Sequence, residues 1–370
     1  MNKKRRIAFI WKWPLSYNGG GENWLKNVIS ELCLHDNLVD VYIPDFYANQ
    51  VKSEGCYKCV NYRYFHSPAG TIMHKFGLEN FSWPLLGFKI NIKYDVIYIP
   101  SIYAWRFFSE SSHTKIIFGT HDFYHPNHKL SRDIVISIFI YALKRFKDKN
   151  IFVHCIDQNI KSQLSFLGDK AILIENFPYS SYEPPKDYKS FTVLFMNVLN
   201  RRKGLKYLPA LMDYFRDAPD ARFLIAGKAE EKVAKLIKEK ENKNAKYLGY
   251  VSDEVKRNLM QTTTLFLLIS DREAGNPFSL LDSLAAGIPV LSTWKPLHNV
   301  MDREFFNMNA VSIRERNIKG IENGIYKYLK LWEVNKAEYL TMRNEIQEYT
   351  KIRFNKDKQL NKILEMFEEI

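Results

Sequence analysis

The chain has 370 residues, 46% of them hydrophobic and 15% aromatic, and a formal net charge of +13. That length predicts two domains with sizeable cores, and no 18-residue apolar segment exists to cross a membrane. The basic balance suits an acidic partner, but it is spread evenly: 22 basic against 16 acidic side chains in residues 1–185 and 32 against 25 in the remainder, which argues against a dedicated nucleic-acid arm.

In chain order, Lys3-Lys4-Arg5-Arg6 precedes an apolar run from Ile7 to Trp11. The run is too short for a signal peptide and reads as a first strand, Arg6–Trp13. The cysteines Cys33, Cys56, Cys59 and Cys155 include one C-x-x-C without the second pair a structural zinc needs. A reducing, cytoplasmic setting is expected. Gly19-Gly20-Gly21-Glu22 reads as a flexible loop, followed by a helix over Asn23–Leu34 with Trp24, Val28 and Leu32 on one face. Val39–Ile43 is a second strand, residues 45–94 read as irregular, and Asp95–Pro100 and Lys115–Thr120 are further short strands. His121-Asp122 sits at the exit of the last. Ile134–Leu143 is apolar nearly all round, which reads as a buried helix, and it ends in Lys144-Arg145-Phe146-Lys147. The rival reading of that basic end is a surface for anionic lipid. Residues 151–156 and 171–174 are strands, with a helix over 158–167 between them.

Residues 179–188 carry Pro and Ser without periodicity and read as a linker. The alternation then restarts: a strand over Phe191–Asn197, the basic turn Arg201-Arg202-Lys203-Gly204, a helix to about Phe215, a strand over Arg222–Ala226, a charged helix, a short strand at 247–250, and a helix capped by Ser252. An apolar strand over Leu265–Ile269 leads into Arg272-Glu273-Ala274-Gly275-Asn276-Pro277. Asn276 is expected to cap a helix whose first residue is Pro277, and Gly287 to end it in the left-handed conformation. Ile288–Leu291 starts the next strand, and residues 317–332, 336–349 and 356–368 are mostly helical. Two blocks of strand–helix alternation imply two doubly wound parallel α/β domains. Ligands in such sheets bind at the carboxyl ends of the strands, and there the N-terminus of a helix suits a phosphate.

These residues resemble the retaining, nucleotide-sugar-dependent glycosyltransferases of glycosyltransferase family 4. Gly275, Pro277, Ala285, Gly287, Pro289 and Val290 fall in step with that family's E-G-x-P-x-x-x-x-E-A-x-A-x-G-x-P-V pattern, with Asp282 at the second acidic position. The first acidic position falls on Ala274, and Glu273 stands one residue early. Gly19–Glu22 is similar to the family's G-G-x-E loop, Thr120-His121-Asp122 to its strand end near the transferred sugar, and Lys203-Gly204 to its K-G. Val198 stands where the family has an Arg.

The resemblance implies a GT-B fold, two Rossmann-like domains facing across a cleft. Residues 1–182 would be the acceptor side and 183–350 the donor side, with 351–370 returning as a helix to the N-terminal domain. It implies catalytic roles for His121, Asp122 and Glu273. Donor binding would fall to Gly20, Gly21, Glu22, Arg202, Lys203, Gly275, Asn276, Pro277, Phe278, Ser279 and Asp282. Lys203, with Arg201 or Arg202, would neutralise the leaving diphosphate in place of a metal; Asp282 would hold ribose hydroxyls and Glu273 sugar hydroxyls. No cofactor, metal or protein nucleophile is implied. The partners expected are a nucleotide-sugar donor, a saccharide or lipid-linked saccharide acceptor and an anionic membrane surface, with no nucleic acid. Two rivals stand beside this: a nucleotide-sugar 2-epimerase, whose set of carboxylates the sequence does not display, and a catalytically degenerate sugar-binding subunit.

Overall fold

A computed structural model describes residues 4–11, 13–17, 19–51, 60–65, 90, 92–100, 114–121, 130–183, 190–218, 220–273 and 275–368. The chain divides into two compact units, residues 1–175 with 357–370, and residues 176–356.

Unit 1 holds a parallel sheet of β1 (Arg6–Ile10), β2 (Leu38–Pro44), β3 (Val60–Phe65), β4 (Val96–Ile99), β5 (Lys115–Gly119), β6 (Ile151–Cys155) and β7 (Ala171–Leu173). The strand order is β3-β2-β1-β4-β5-β6-β7, so the winding reverses between β1 and β4. Every residue of β4 and β5 is buried, because helices cover both faces of such a sheet and a strand inside it must be apolar throughout. Strand β3 lies in the stretch that reads as irregular. It is an edge strand rich in Tyr, Asn and Arg, so it carries no apolar run. It pairs along its whole length with β2 and is pinned by a buried carboxylate, Asp40. Asp40 accepts from Arg63 at 2.8 Å, Arg6 at 3.1 Å, Asn61 at 3.1 Å and the Tyr94 hydroxyl. Burial opposes its charge, but these bonds outweigh burial and hold its pKa below the ordinary value.

Helix α1 (Gly20–Leu34) begins within the glycines and buries Trp24, Leu25, Val28, Ile29 and Leu32. Helix α2 (Leu130–Arg145) is buried on one side only: Phe139 and Leu143 face inward, while Ile138 is 47% and Tyr141 67% exposed. The fully buried helix expected from its apolar run is therefore corrected to a half-buried one. Helix α3 (Gln158–Gln163) is capped by Asp157, which accepts from the Ile160 N–H at 2.8 Å.

Unit 2 holds β8 (Phe191–Met196), β9 (Ala221–Ala226), β10 (Ala245–Tyr247), β11 (Leu265–Leu268), β12 (Val290–Ser292) and β13 (Val311–Ile313), in the order β10-β9-β8-β11-β12-β13. The reversal recurs, here between β8 and β11. Its helices are α4 (Leu208–Phe215), α5 (Glu231–Glu239), α6 (Asp253–Thr262), α7 (Phe278–Ala285), α8 (Ile318–Val334) and α9 (Lys336–Arg353). Arg343 of α9 is buried and closes the end of α7, donating to the carbonyls of Ala286 at 2.9 Å, Gly287 at 2.8 Å and Thr263 at 3.1 Å. A guanidinium fits there because a helix C-terminus leaves carbonyls unpaired and carries partial negative charge.

Helix α10 (Lys356–Glu368) belongs with unit 1. Phe367 packs on Phe9 and Tyr98 with ring centroids 5.6 and 5.8 Å apart, and buried Lys115 donates to the Met366 carbonyl at 2.7 Å. Residues 176–182 go with unit 2, so the division falls earlier than the composition of the linker suggests. Asn176 donates to the Asn276 carbonyl at 2.9 Å, Tyr179 stacks on Phe278 at 4.5 Å, and Gln347 donates to the Tyr182 carbonyl.

Candidate functional site

In each unit the predicted residues among the described ones follow the carboxyl ends of central strands: β1 and β5 in unit 1, β8 and β11 in unit 2. In unit 2 the turn Arg201–Lys203 follows β8 because Asn200 caps it, accepting from the Lys203 N–H at 3.0 Å. Gly204 closes the turn at φ +94, where a Cβ would run into the Ile269 carbonyl. This holds Lys203 against the segment that leaves β11. There its ammonium meets both oxygens of Glu273, at 2.5 and 2.6 Å. The pair is buried, with side-chain exposures of 11% and 5%. Burial lowers the Lys203 pKa, and Glu273 opposes that shift. Arg202 reaches the Arg272 carbonyl at 3.5 Å, and its own carbonyl accepts from the Asp271 N–H at 2.7 Å.

The helix begins one residue later than expected. Pro277, not Asn276, is its cap, with extended dihedrals and no side-chain cap bond. Gly275 takes φ +55 just before it. Asn276 is completely buried, and neither its amide oxygen nor its amide nitrogen has a hydrogen-bond partner among the described residues. The same is true of Asn197 Nδ2 after β8, Ser270 Oγ after β11 and Thr293 Oγ1 after β12. Buried polar atoms are nearly always paired, so these unpaired ones, all at the carboxyl ends of strands or just beyond, are exceptional. Phe278 and Ser279 open α7 and are partly exposed.

Asp282 lies fully buried within α7. Its Oδ1 accepts from the Tyr179 N–H at 2.8 Å and its Oδ2 from Lys256 of α6 at 2.5 Å. Burial raises its pKa against those bonds. Lys256 also lies 5.3 Å from the centre of the Tyr179 ring. Nothing in the local sequence marks Lys256, Tyr179 or Asn197 as site residues, whereas Asn176 lies in Glu175-Asn176-Phe177, which resembles the family's I-P-N-G segment. Asn200 carries a readable signal, an Asn three residues before the N–H it caps.

In unit 1, Gly20 and Gly21 are the first residues of α1 rather than a loop. Glu22 turns back on that first turn: its carboxylate accepts from its own N–H and that of Gly19, and from Trp11 Nε1 at 3.3 Å. Burial raises its pKa. His121, after β5, meets two residues that sequence reading did not single out. Its Nε2 lies 2.9 Å from the Tyr98 hydroxyl of β4, and that hydroxyl lies 2.8 Å from His154 Nδ1 of β6. Trp24 packs on the His121 ring at 4.8 Å. Burial pushes the pKa of His121 down to about 3 and of His154 to about 4, so both are neutral at pH 7. Asp122 lies outside the described residues. Among the described residues no group of three or more His, Cys, Asp or Glu side chains is placed to hold a metal ion.

No curated protein matches the chain by sequence. A sucrose-phosphate synthase from Thermosynechococcus elongatus superposes with a TM-score of 0.71 at 13% identity, covering 98% of each chain. HepE from Anabaena, in complex with UDP-glucose, superposes with a TM-score of 0.69 at 14% identity, covering 99% of this chain and 100% of its own. WaaG, a glycosyltransferase involved in lipopolysaccharide biosynthesis, gives 0.63 at 14% identity, covering 98% and 100%. Those likenesses are of fold. Residues 180–353 match the family model described as glycosyl transferases group 1. That match falls within the C-terminal unit and its border, in a chain whose fold is GT-B.

Proposed function

We propose that the chain is a glycosyltransferase of family 4 that moves a sugar from a nucleoside diphosphate sugar to a hydroxyl acceptor with retention of anomeric configuration. The acceptor is a growing polysaccharide or glycolipid of the cell envelope. The observation that carries this reading is found at the strand ends of unit 2: the buried Lys203–Glu273 pair, and on the same ends Asn197 Nδ2, Ser270 Oγ, the Asn276 amide and Thr293 Oγ1, buried with no hydrogen-bond partner among the described residues. Glycosyl transfer develops negative charge on the departing diphosphate. Lys203, Arg202 and the free N–H groups at the start of α7 supply the opposite charge without a metal. When the diphosphate draws the ammonium of Lys203, the Glu273 carboxylate is released to accept sugar hydroxyls. Asp282 takes ribose hydroxyls only by exchanging Lys256 for them. No side chain is needed as a nucleophile, because the leaving phosphate helps take the acceptor proton. His121 and Asp122 contact the sugar or the acceptor.

The test is release of nucleotide from a panel of UDP- and GDP-sugars by the purified chain, with Lys203→Ala as control. Loss of release in the variant is expected, and undiminished release would overturn the phosphate role of Lys203. A second reading, a nucleotide-sugar-binding subunit without turnover, is favoured by Val198 and Ala274 at two family positions. Tight nucleotide binding without transfer to any acceptor selects it. The half-exposed α2, with Ile138 and Tyr141 beside Lys144 and Arg145, supports an acceptor presented at an anionic membrane. Flotation with vesicles containing anionic lipid tests this, and equal flotation with neutral vesicles would count against it.

A further inference from the structure

The hydrogen bonds around His121 form a one-way chain. The Ile174 carbonyl can only accept, and His154 Nε2 lies 2.8 Å from it, so that nitrogen carries the proton. A neutral His154 then presents Nδ1 as an acceptor, and the Tyr98 hydroxyl, 2.8 Å away, must donate to it. With its proton committed, the Tyr98 oxygen accepts from His121 Nε2 at 2.9 Å. A neutral His121 with its proton on Nε2 has a lone pair on Nδ1, and no hydrogen bond occupies it among the described residues. Reversing the chain needs a second proton on His154, which its burial resists. Room for the chain is built into the backbone. Gly119 pairs with His154 between β5 and β6, and a Cβ on it would collide with the Tyr98 hydroxyl and come within 2.9 Å of His121 Cδ2.

We propose that Tyr98 and His154 are positioning residues that lock His121 in its Nε2–H tautomer, so that Nδ1 accepts a hydrogen bond from a hydroxyl of the saccharide substrate. The substrate class rests on the transferase reading; the tautomer does not. The lock makes His121 an acceptor for a neutral hydroxyl, neither a proton donor nor a phosphate ligand.

The test is long-range proton–nitrogen correlation spectroscopy on the full 15N-labelled chain near pH 7. Wild type is expected to show His121 with a pyridine-type Nδ1 and a pyrrole-type Nε2, and His154 with the same pattern. Tyr98→Phe, which keeps the ring packing on Phe9 and Trp24, is expected to leave His121 averaged between tautomers. In nucleotide-release assays with the sugar the chain turns over, Tyr98→Phe should lower kcat/KM about tenfold for the full substrate. That penalty should vanish for one monodeoxy analogue, deoxygenated on the donor sugar or on the acceptor, which identifies the hydroxyl that His121 receives. A protonated Nδ1 on wild-type His121, or an unchanged tautomer in Tyr98→Phe, would overturn the proposal. Spectra as expected without turnover of any nucleotide sugar would leave the lock standing and sink the transferase reading instead.

Discussion

At the strand ends of unit 1, the buried Tyr98 and His154 and the partly exposed His121 are neutral and bonded head to tail. At the strand ends of unit 2, a lysine and a glutamate face each other under cover, and amides and hydroxyls at those ends have no partner among the described residues. The strand order is shared, apart from one further strand in unit 1. The same topology therefore presents two different sets of side chains at its strand ends. A neutral chain suits hydroxyls, whereas a paired charge ringed by open donors and acceptors suits a ligand that carries charge of its own.

Glu273→Ala should be the most damaging single change to that contrast, because it strands the Lys203 ammonium in a buried site. A loss of about 3–5 kcal/mol is expected in the urea transition of unit 2, recovered largely in Lys203→Met/Glu273→Leu. A single-variant loss under about 0.5 kcal/mol would mean the pair is solvated. Acid should strike unit 1 instead. His121 and His154 have folded pKa values of about 3 and about 4, below the ordinary 6.5. Below pH 6.5 the unfolded chain binds protons that the folded chain refuses. Stability should therefore fall as pH drops from about 6.5 toward 4, by up to about 1.4 kcal/mol per pH unit for each histidine. Thermal melts of wild type and His154→Gln across that range would show it, and parallel curves would refute it. Gly204→Ala sets a left-handed residue against the Ile269 carbonyl and should cost about 1–3 kcal/mol. It should also lower nucleotide affinity by displacing Lys203. Asn200→Ala removes only the cap on the turn. About 1 kcal/mol is expected, with a smaller loss of affinity than in the glycine variant.

Much of the fold was legible because its central strands are buried on both faces and read as apolar runs. Edge strand β3 was not, since its residues are justified by Asp40, twenty or more positions away. Lys203 and Glu273 stood out through the resemblance of their segments to the family's K-G and E-G-x-P patterns. Tyr98, His154, Asn197, Ser270 and Lys256 did not, because each gains its meaning from strand register or from a helix remote in sequence. Asn276 was found for one reason and matters for another: it leaves the cap to Pro277 and stays buried with its amide open.

The return of α10 to unit 1 bears on how the chain is made. Unit 2 is one contiguous segment, complete once residue 356 has left the ribosome. The partners of Phe9 and Lys115, which are Phe367 and the Met366 carbonyl, are synthesised after unit 2. The domain translated first is therefore finished second. Until its closing helix arrives, it must keep an apolar seam and a buried lysine waiting, a window in which a nascent-chain chaperone has something to hold.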